Sequence, residues 1–145
     1  LTKFSIRSKL FVEEKYKNIE GIEQIPYIPI HDLMNHIHNA KLSILPLESF
    51  NYSYGQMTLM QQMALEKCVI AAKVPSLMDY VADKKTAVLY QPKNAKDLSE
   101  KMQLLLSNSS LRDTVAKQGK IFLETECNEL IMARQIECVF ESCLK

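Results

Sequence analysis

Ser53-Tyr54-Gly55-Gln56-Met57-Thr58-Leu59-Met60-Gln61-Gln62-Met63-Ala64-Leu65-Glu66-Lys67-Cys68-Val69-Ile70 is the stretch on which the fold turns. A polar turn holding one of only three glycines opens into an apolar stretch of helical character, which runs into a short β-branched segment. The start of a helix placed this way in an α/β unit has backbone N–H groups without helical partners and carries partial positive charge. It is therefore suited to phosphate and sugar oxygens.

Upstream of this stretch, Leu42 to Leu45 reads as a strand closed by Pro46, and Pro46 to Gln56 as a long polar and aromatic loop with Phe50, Tyr52 and Tyr54. Loops of that length in a compact domain are often functional. His31 to Ala40 sets Leu33, Met34, Ile37 and Ala40 on one helical face. Ile22 to Ile25 is a strand candidate ended by Pro26 and Pro29, and Thr2 to Ile6 alternates as a strand does.

Downstream, Met57 to Leu65 is predicted as a helix with Met57, Met60, Met63 and Ala64 on its inner face, the methionines serving as core filler. Cys68 to Ala72 is a buried strand, Pro75 to Val81 a short helix, and Ala87 to Tyr90 a further strand. Asn94 caps a helix through Leu106; Ser109 or Ser110 begins a second; Asn128 caps a third that carries Leu130, Ile131, Ile136, Val139 and Phe140. Strands alternating with helices imply βαβ units and a parallel sheet, in which ligands bind beyond the carboxyl ends of the strands. The loop after Leu45 is one such end.

Composition narrows the function. The chain has 145 residues, enough for one domain with a core, and a formal net charge of +1. Without a basic stripe it is not expected to bind nucleic acid. No apolar run approaches the roughly 20 residues of a membrane span. Cys68, Cys127, Cys138 and Cys143 lack CxxC spacing and are read as reduced thiols of a cytoplasmic protein. His31, His36 and His38 do not share a helix face at i, i+4, so no metal site is expected. A start at Leu1 on an extended segment suggests a piece of a larger enzyme.

From Ile22 onward the order of motifs is specific. An Ile-Pro-Tyr-Ile-Pro segment precedes a helix ending Asn39-Ala40, followed by Leu42-Ser43-Ile44-Leu45-Pro46, the glycine turn, Gln61-Gln62-Met63-Ala64, and Val69-Ile70-Ala71-Ala72. Then come Val74 to Val81, Thr86 to Pro92 and Asn94 to Leu98. This order resembles the C-terminal, nucleotide-sugar-binding domain of retaining glycosyltransferases of the GT-B fold. The resemblance implies an α/β, Rossmann-like, doubly wound parallel sheet with a helical C-terminal tail. It also implies one truncated donor domain over residues 1–145, with the acceptor domain absent and the chain alone inactive.

That family usually carries two glutamates eight residues apart around this turn, the second binding the ribose. Gln61 stands at the ribose position and Ser53 at the other; the usual glycine falls on Gln56, with Gly55 one residue early. A glutamine can still hold a ribose diol, by weaker bonds than a carboxylate. The donor-binding set implied is Ser53, Tyr54, Gly55, Gln56, Met57, Thr58 and Gln61, with Tyr27, Ile28 and Ile30 near the nucleotide base. The catalytic residues are left unassigned, because the Arg and Lys that clamp the diphosphate in this family have no counterpart in this chain. The expected partners are a nucleoside-diphosphate sugar as donor substrate and a glycan or lipid-linked acceptor, with no cofactor. Peripheral membrane association of the parent protein stays open.

Two other classes compete. A non-catalytic module that assists a partner enzyme is suggested by the loss of both glutamates. A nicotinamide dehydrogenase is disfavoured, since no GxGxxG is present.

Overall fold

A computed structural model describes residues 4–7, 22–25, 28–49 and 52–144. The chain divides into two compact units, residues 1–36 and 37–145. In the first, β1 (Phe4–Arg7) pairs in parallel with β2 (Ile22–Ile25), Phe4 opposite Ile22. The helix α1 (Ile30–Asn39) begins there, with Leu33 N–H bonded to Pro29 O at 3.1 Å. Leu33 is buried, whereas Met34, expected on the same inner face, is exposed. The segment from Lys9 to Lys17 lies outside the described residues.

The second unit is built on a parallel sheet of β3 (Ser43–Leu45), β4 (Val69–Ala72) and β5 (Val88–Tyr90), in that order. Ile44 lies opposite Ile70, and Ile70 opposite Val88. All four residues of β4 are fully buried, as a central parallel strand requires when both its faces are covered. This matches the unbroken apolar run from Cys68. Between the strands run α2 (Gln56–Ala64) and a single 3-10 turn at Pro75–Leu77. The helices α3 (Ala95–Ser107), α4 (Ser109–Glu126) and α5 (Glu129–Cys143) follow. The helix α2 packs on β3, β4 and α4, and α3 on β4, β5 and α4.

The expected helix from Pro75 to Val81 shrinks to that one turn. Leu77 N–H bonds Val74 O and Met78 N–H bonds Pro75 O, both i+3 contacts that tighten the chain and stop it from propagating. Leu77 and Val81 are nonetheless buried, as the spacing suggested.

The inner face of α2 also differs from expectation. Leu59, Gln62 and Met63 are buried, whereas Met57 is 70% exposed and Ala64 is exposed. The helix is wedged between the sheet and α4, and this selects the i, i+3, i+4 set beginning at Leu59. Of the expected set, Met63 is fully buried. The close approach of α4 is made possible by Gly119, where a Cβ would sit 2.7 Å from Thr86 O and 3.3 Å from Met63 Cγ.

Caps follow the sequence closely. Asn94 Oδ1 accepts from Asp97 N–H at 3.0 Å, and Asn128 Oδ1 from Ile131 N–H at 3.0 Å. The helix α4 begins at Ser109, as expected, and Asn108 just before it supplies the cap by accepting from Leu111 N–H at 2.9 Å. At the carboxyl end of α1, Lys67 Nζ donates to His38 O and Ala40 O, both at 2.8 Å. A cation there complements the helix dipole.

Candidate functional site

Because β3, β4 and β5 are parallel, the segments that leave their carboxyl ends emerge on one edge of the sheet. These are Pro46–Gly55, Lys73–Leu77 and Gln91–Asn94. Hydrogen bonds and one ion pair join them. Lys73 N–H donates to Tyr90 O at 2.9 Å. Lys93 Nζ lies 3.7 Å from Glu48 Oε2, on the surface. Ser76 Oγ donates to Tyr54 O at 3.1 Å, and Gln56 Nε2 donates to Ser76 O at 2.9 Å.

Gly55 ends the first of these segments. Its φ of +89° is the left-handed region in which a side chain is strained, and a Cβ would meet Leu47 Cδ1 at 2.4 Å. It is the N-cap of α2, and no side chain caps that end. The first helical amide with an i−4 partner is that of Leu59, which donates to Gly55 O at 3.0 Å. The N–H groups of Gln56, Met57 and Thr58 precede it and have no such partner within the helix. No acidic residue lies in the first turn to offset the positive dipole end.

The aromatic part of the loop is braced from within. Tyr54 Oη donates to Glu48 O, and the Tyr52 and Tyr54 rings lie with centroids 5.4 Å apart at 47°. Burial and the neighbouring Tyr52 push the Tyr54 hydroxyl above its ordinary pKa, so it remains a neutral donor. Tyr52 is 63% exposed. Ser53, exposed, accepts a hydrogen bond at Oγ from Gln56 Nε2.

The structure thus brings Ser53, Tyr54, Gly55, Gln56, Met57 and Thr58 to one end of α2. Gln61 lies further along the helix, half-buried, and its side chain makes no hydrogen bond among the described residues. Ile28 and Ile30 belong to the first compact unit, and Tyr27 lies outside the described residues. Asp79 is an exposed turn residue. Ser76 was missed in the sequence. Its only signal there was its place, a small polar residue just past the carboxyl end of a buried strand.

A cleft of about 450 Å³ beside β5 and α3 is lined by Lys73, Asp83, Gln91, Asn94, Asp97 and Lys101, and does not include the glycine turn. Within it Asp97 Oδ2 accepts from Gln91 N–H at 2.7 Å, and Lys101 Nζ lies 3.5 Å from Asp97 Oδ1. Burial pushes the Cys68 thiol up to about 11, which makes it a poor nucleophile. Among the described residues no group of three or more His, Cys, Asp or Glu could hold a metal ion, and no helix is long and apolar enough to cross a membrane.

Residues 8–122 match the family of glycosyl transferases group 1, and the chain belongs to that family. It is 37% identical over 82 residues to MJ1178, an uncharacterized glycosyltransferase of Methanocaldococcus jannaschii, covering 57% of this chain and 23% of that protein. It is 24% identical over 116 residues to the capsular polysaccharide biosynthesis glycosyltransferase CapM of Staphylococcus aureus, covering 80% and 30%. Anabaena Alr3699/HepE, solved in complex with UDP, shares the fold with a TM-score of 0.72 at 17% identity, covering 83% of this chain and 32% of that one. The fold is the Rossmann-like α/β half expected of a GT-B glycosyltransferase. The chain spans less than a third of the length of the curated relatives it matches.

Proposed function

We propose that this chain is the donor-binding part of a retaining glycosyltransferase that moves a hexose-type sugar from a nucleoside diphosphate to a glycan or lipid-linked acceptor. The observation that carries the reading is the uncapped start of α2 behind Gly55, on the carboxyl edge of a parallel sheet, in a member of a glycosyltransferase family. A nucleotide-sugar donor is supported by the HepE structures, which hold UDP and UDP-glucose. An acceptor of the polysaccharide, capsule or lipopolysaccharide kind is supported by the likeness to CapM.

In this reading the N–H groups of Gln56, Met57 and Thr58 donate to the donor's diphosphate and sugar, and Gln61 holds the ribose hydroxyls through its neutral amide. As the bond from the anomeric carbon to the phosphate oxygen breaks, negative charge gathers on the leaving diphosphate. Oriented amides and the positive helix end stabilise that charge without reorganising. A phosphate oxygen of the leaving group takes the acceptor's proton. The acceptor site comes from a further domain and the basic diphosphate clamp from residues upstream in this one, so residues 1–145 alone do not turn over. The parent protein works in the cytoplasm, and against a membrane surface where its acceptor is lipid-linked.

The test is calorimetric titration of the intact protein with UDP and GDP, and an assay of diphosphate release from their sugars. Binding with turnover is expected, and Gln61→Ala should weaken binding about fivefold, as loss of one hydrogen bond does. The non-catalytic module is favoured by one specific observation, Ser53 and Gln61 at the positions where the family usually has glutamates. Failure of the intact protein to bind either diphosphate would support that reading and end the first.

A further inference from the structure

The loop that delivers Gly55 is long, running from Pro46 to Gly55 between β3 and α2. Amides at its end help a ligand only if they are aimed before it arrives, since ordering a loop on binding costs free energy. Ser76 meets that need. It stands in the 3-10 turn directly after β4, and Val74 and Leu77, both fully buried, fix it from either side. From this post its hydroxyl donates to Tyr54 O and its carbonyl accepts from Gln56 Nε2. The two bonds bracket Gly55, one residue before it and one after. Gln56 Nε2 also reaches Ser53 Oγ, which ties the first residue of the turn to the same knot.

We propose that Ser76 and the side chain of Gln56 are positioning residues that clasp the glycine turn to the end of β4 and so preset the direction of the free α2 amides. Neither side chain touches the reacting atoms in this role. Gln56 stands where the family usually has glycine, and its longer side chain folds its amide back onto Ser76 O. The inference rests on the donor-binding reading above, because the amides it aims are those assigned there to the diphosphate.

The experiment uses the intact protein and compares a nucleoside diphosphate with its bare nucleoside: UDP with uridine, and GDP with guanosine. Ser76→Ala and Gln56→Ala should each weaken diphosphate binding about fivefold, while nucleoside binding, followed by NMR titration, stays unchanged. Ser76→Thr keeps a hydroxyl donor and should restore wild-type affinity. Equal affinities in wild type and both alanine variants would overturn the clasp while leaving the donor-binding reading intact. A parallel loss for diphosphate and nucleoside would also overturn it, since that marks general damage to the fold. A wild-type protein that binds neither diphosphate would overturn both.

Discussion

The two long helices α4 and α5 are begun in the same way and end up in opposite circumstances. Each is capped by an asparagine accepting from the amide three residues on, Asn108 for α4 and Asn128 for α5. Each carries apolar residues at helical spacing. Yet α4 buries Val115, Ala116 and Gly119 against its neighbours, whereas none of the α5 residues is buried. Leu130, Met132, Ile136, Val139 and Phe140 are all exposed on α5, the last two at 61% and 66%. Start signals and stripes are local properties of a chain, and they declare a helix. What covers the stripe depends on surfaces remote in sequence, and here α2 and α3 cover only α4.

The contrast can be broken most severely at Gly119. In an isolated helix alanine is favoured over glycine by about 1 kcal/mol. Here the added methyl would meet the backbone oxygen of Thr86, and α4 would have to move away from α2 and from the turn that precedes β5. Gly119→Ala should therefore lower unfolding stability by about 2 kcal/mol in urea denaturation, the usual cost of overpacking. A stabilised variant would mean that α4 is not held as close as described.

A smaller effect of opposite sign is expected on the other side of the same contact. Gln62 is buried on α2, and its Oε1 has no hydrogen-bond partner among the described residues. Gln62→Met, close in shape and free of the stranded acceptor, should raise stability by about 1 kcal/mol. The smallest effect belongs to α5. The pair Val139→Ser and Phe140→Ser should change stability by no more than about 0.5 kcal/mol each, as exposed substitutions do. A loss of 2 kcal/mol or more would show that something covers this face and would erase the distinction between the helices.

The same division between local and remote governs what could be read beforehand. The buried strand after Cys68, the caps at Asn94 and Asn128 and the glycine turn were legible because each is set by neighbouring residues: an apolar run, a side-chain acceptor, a tolerated φ. The inner face of α2 was read correctly at Met63 but misread at Met57 and Ala64, because Met57 and Met60 compete with Leu59 for the same role, and only contact with the sheet and α4 decides between them. Ser76 was invisible for a related reason. Its partners Tyr54 and Gln56 lie 22 and 20 residues away in the chain, and nothing in its own surroundings announces them.

For this protein, then, the amino-acid order alone determined the alternation of strands and helices, the glycine turn at Gly55 and the resemblance that led to its family. Those rest on propensity, hydrophobic period and turn chemistry, which act over a few residues. Only the tertiary structure decided that Gly119 is a point of close approach, that Ser76 anchors the turn, and that α5 is left uncovered. Each of these is a distance between segments far apart in the chain, and such distances arise only when the elements pack.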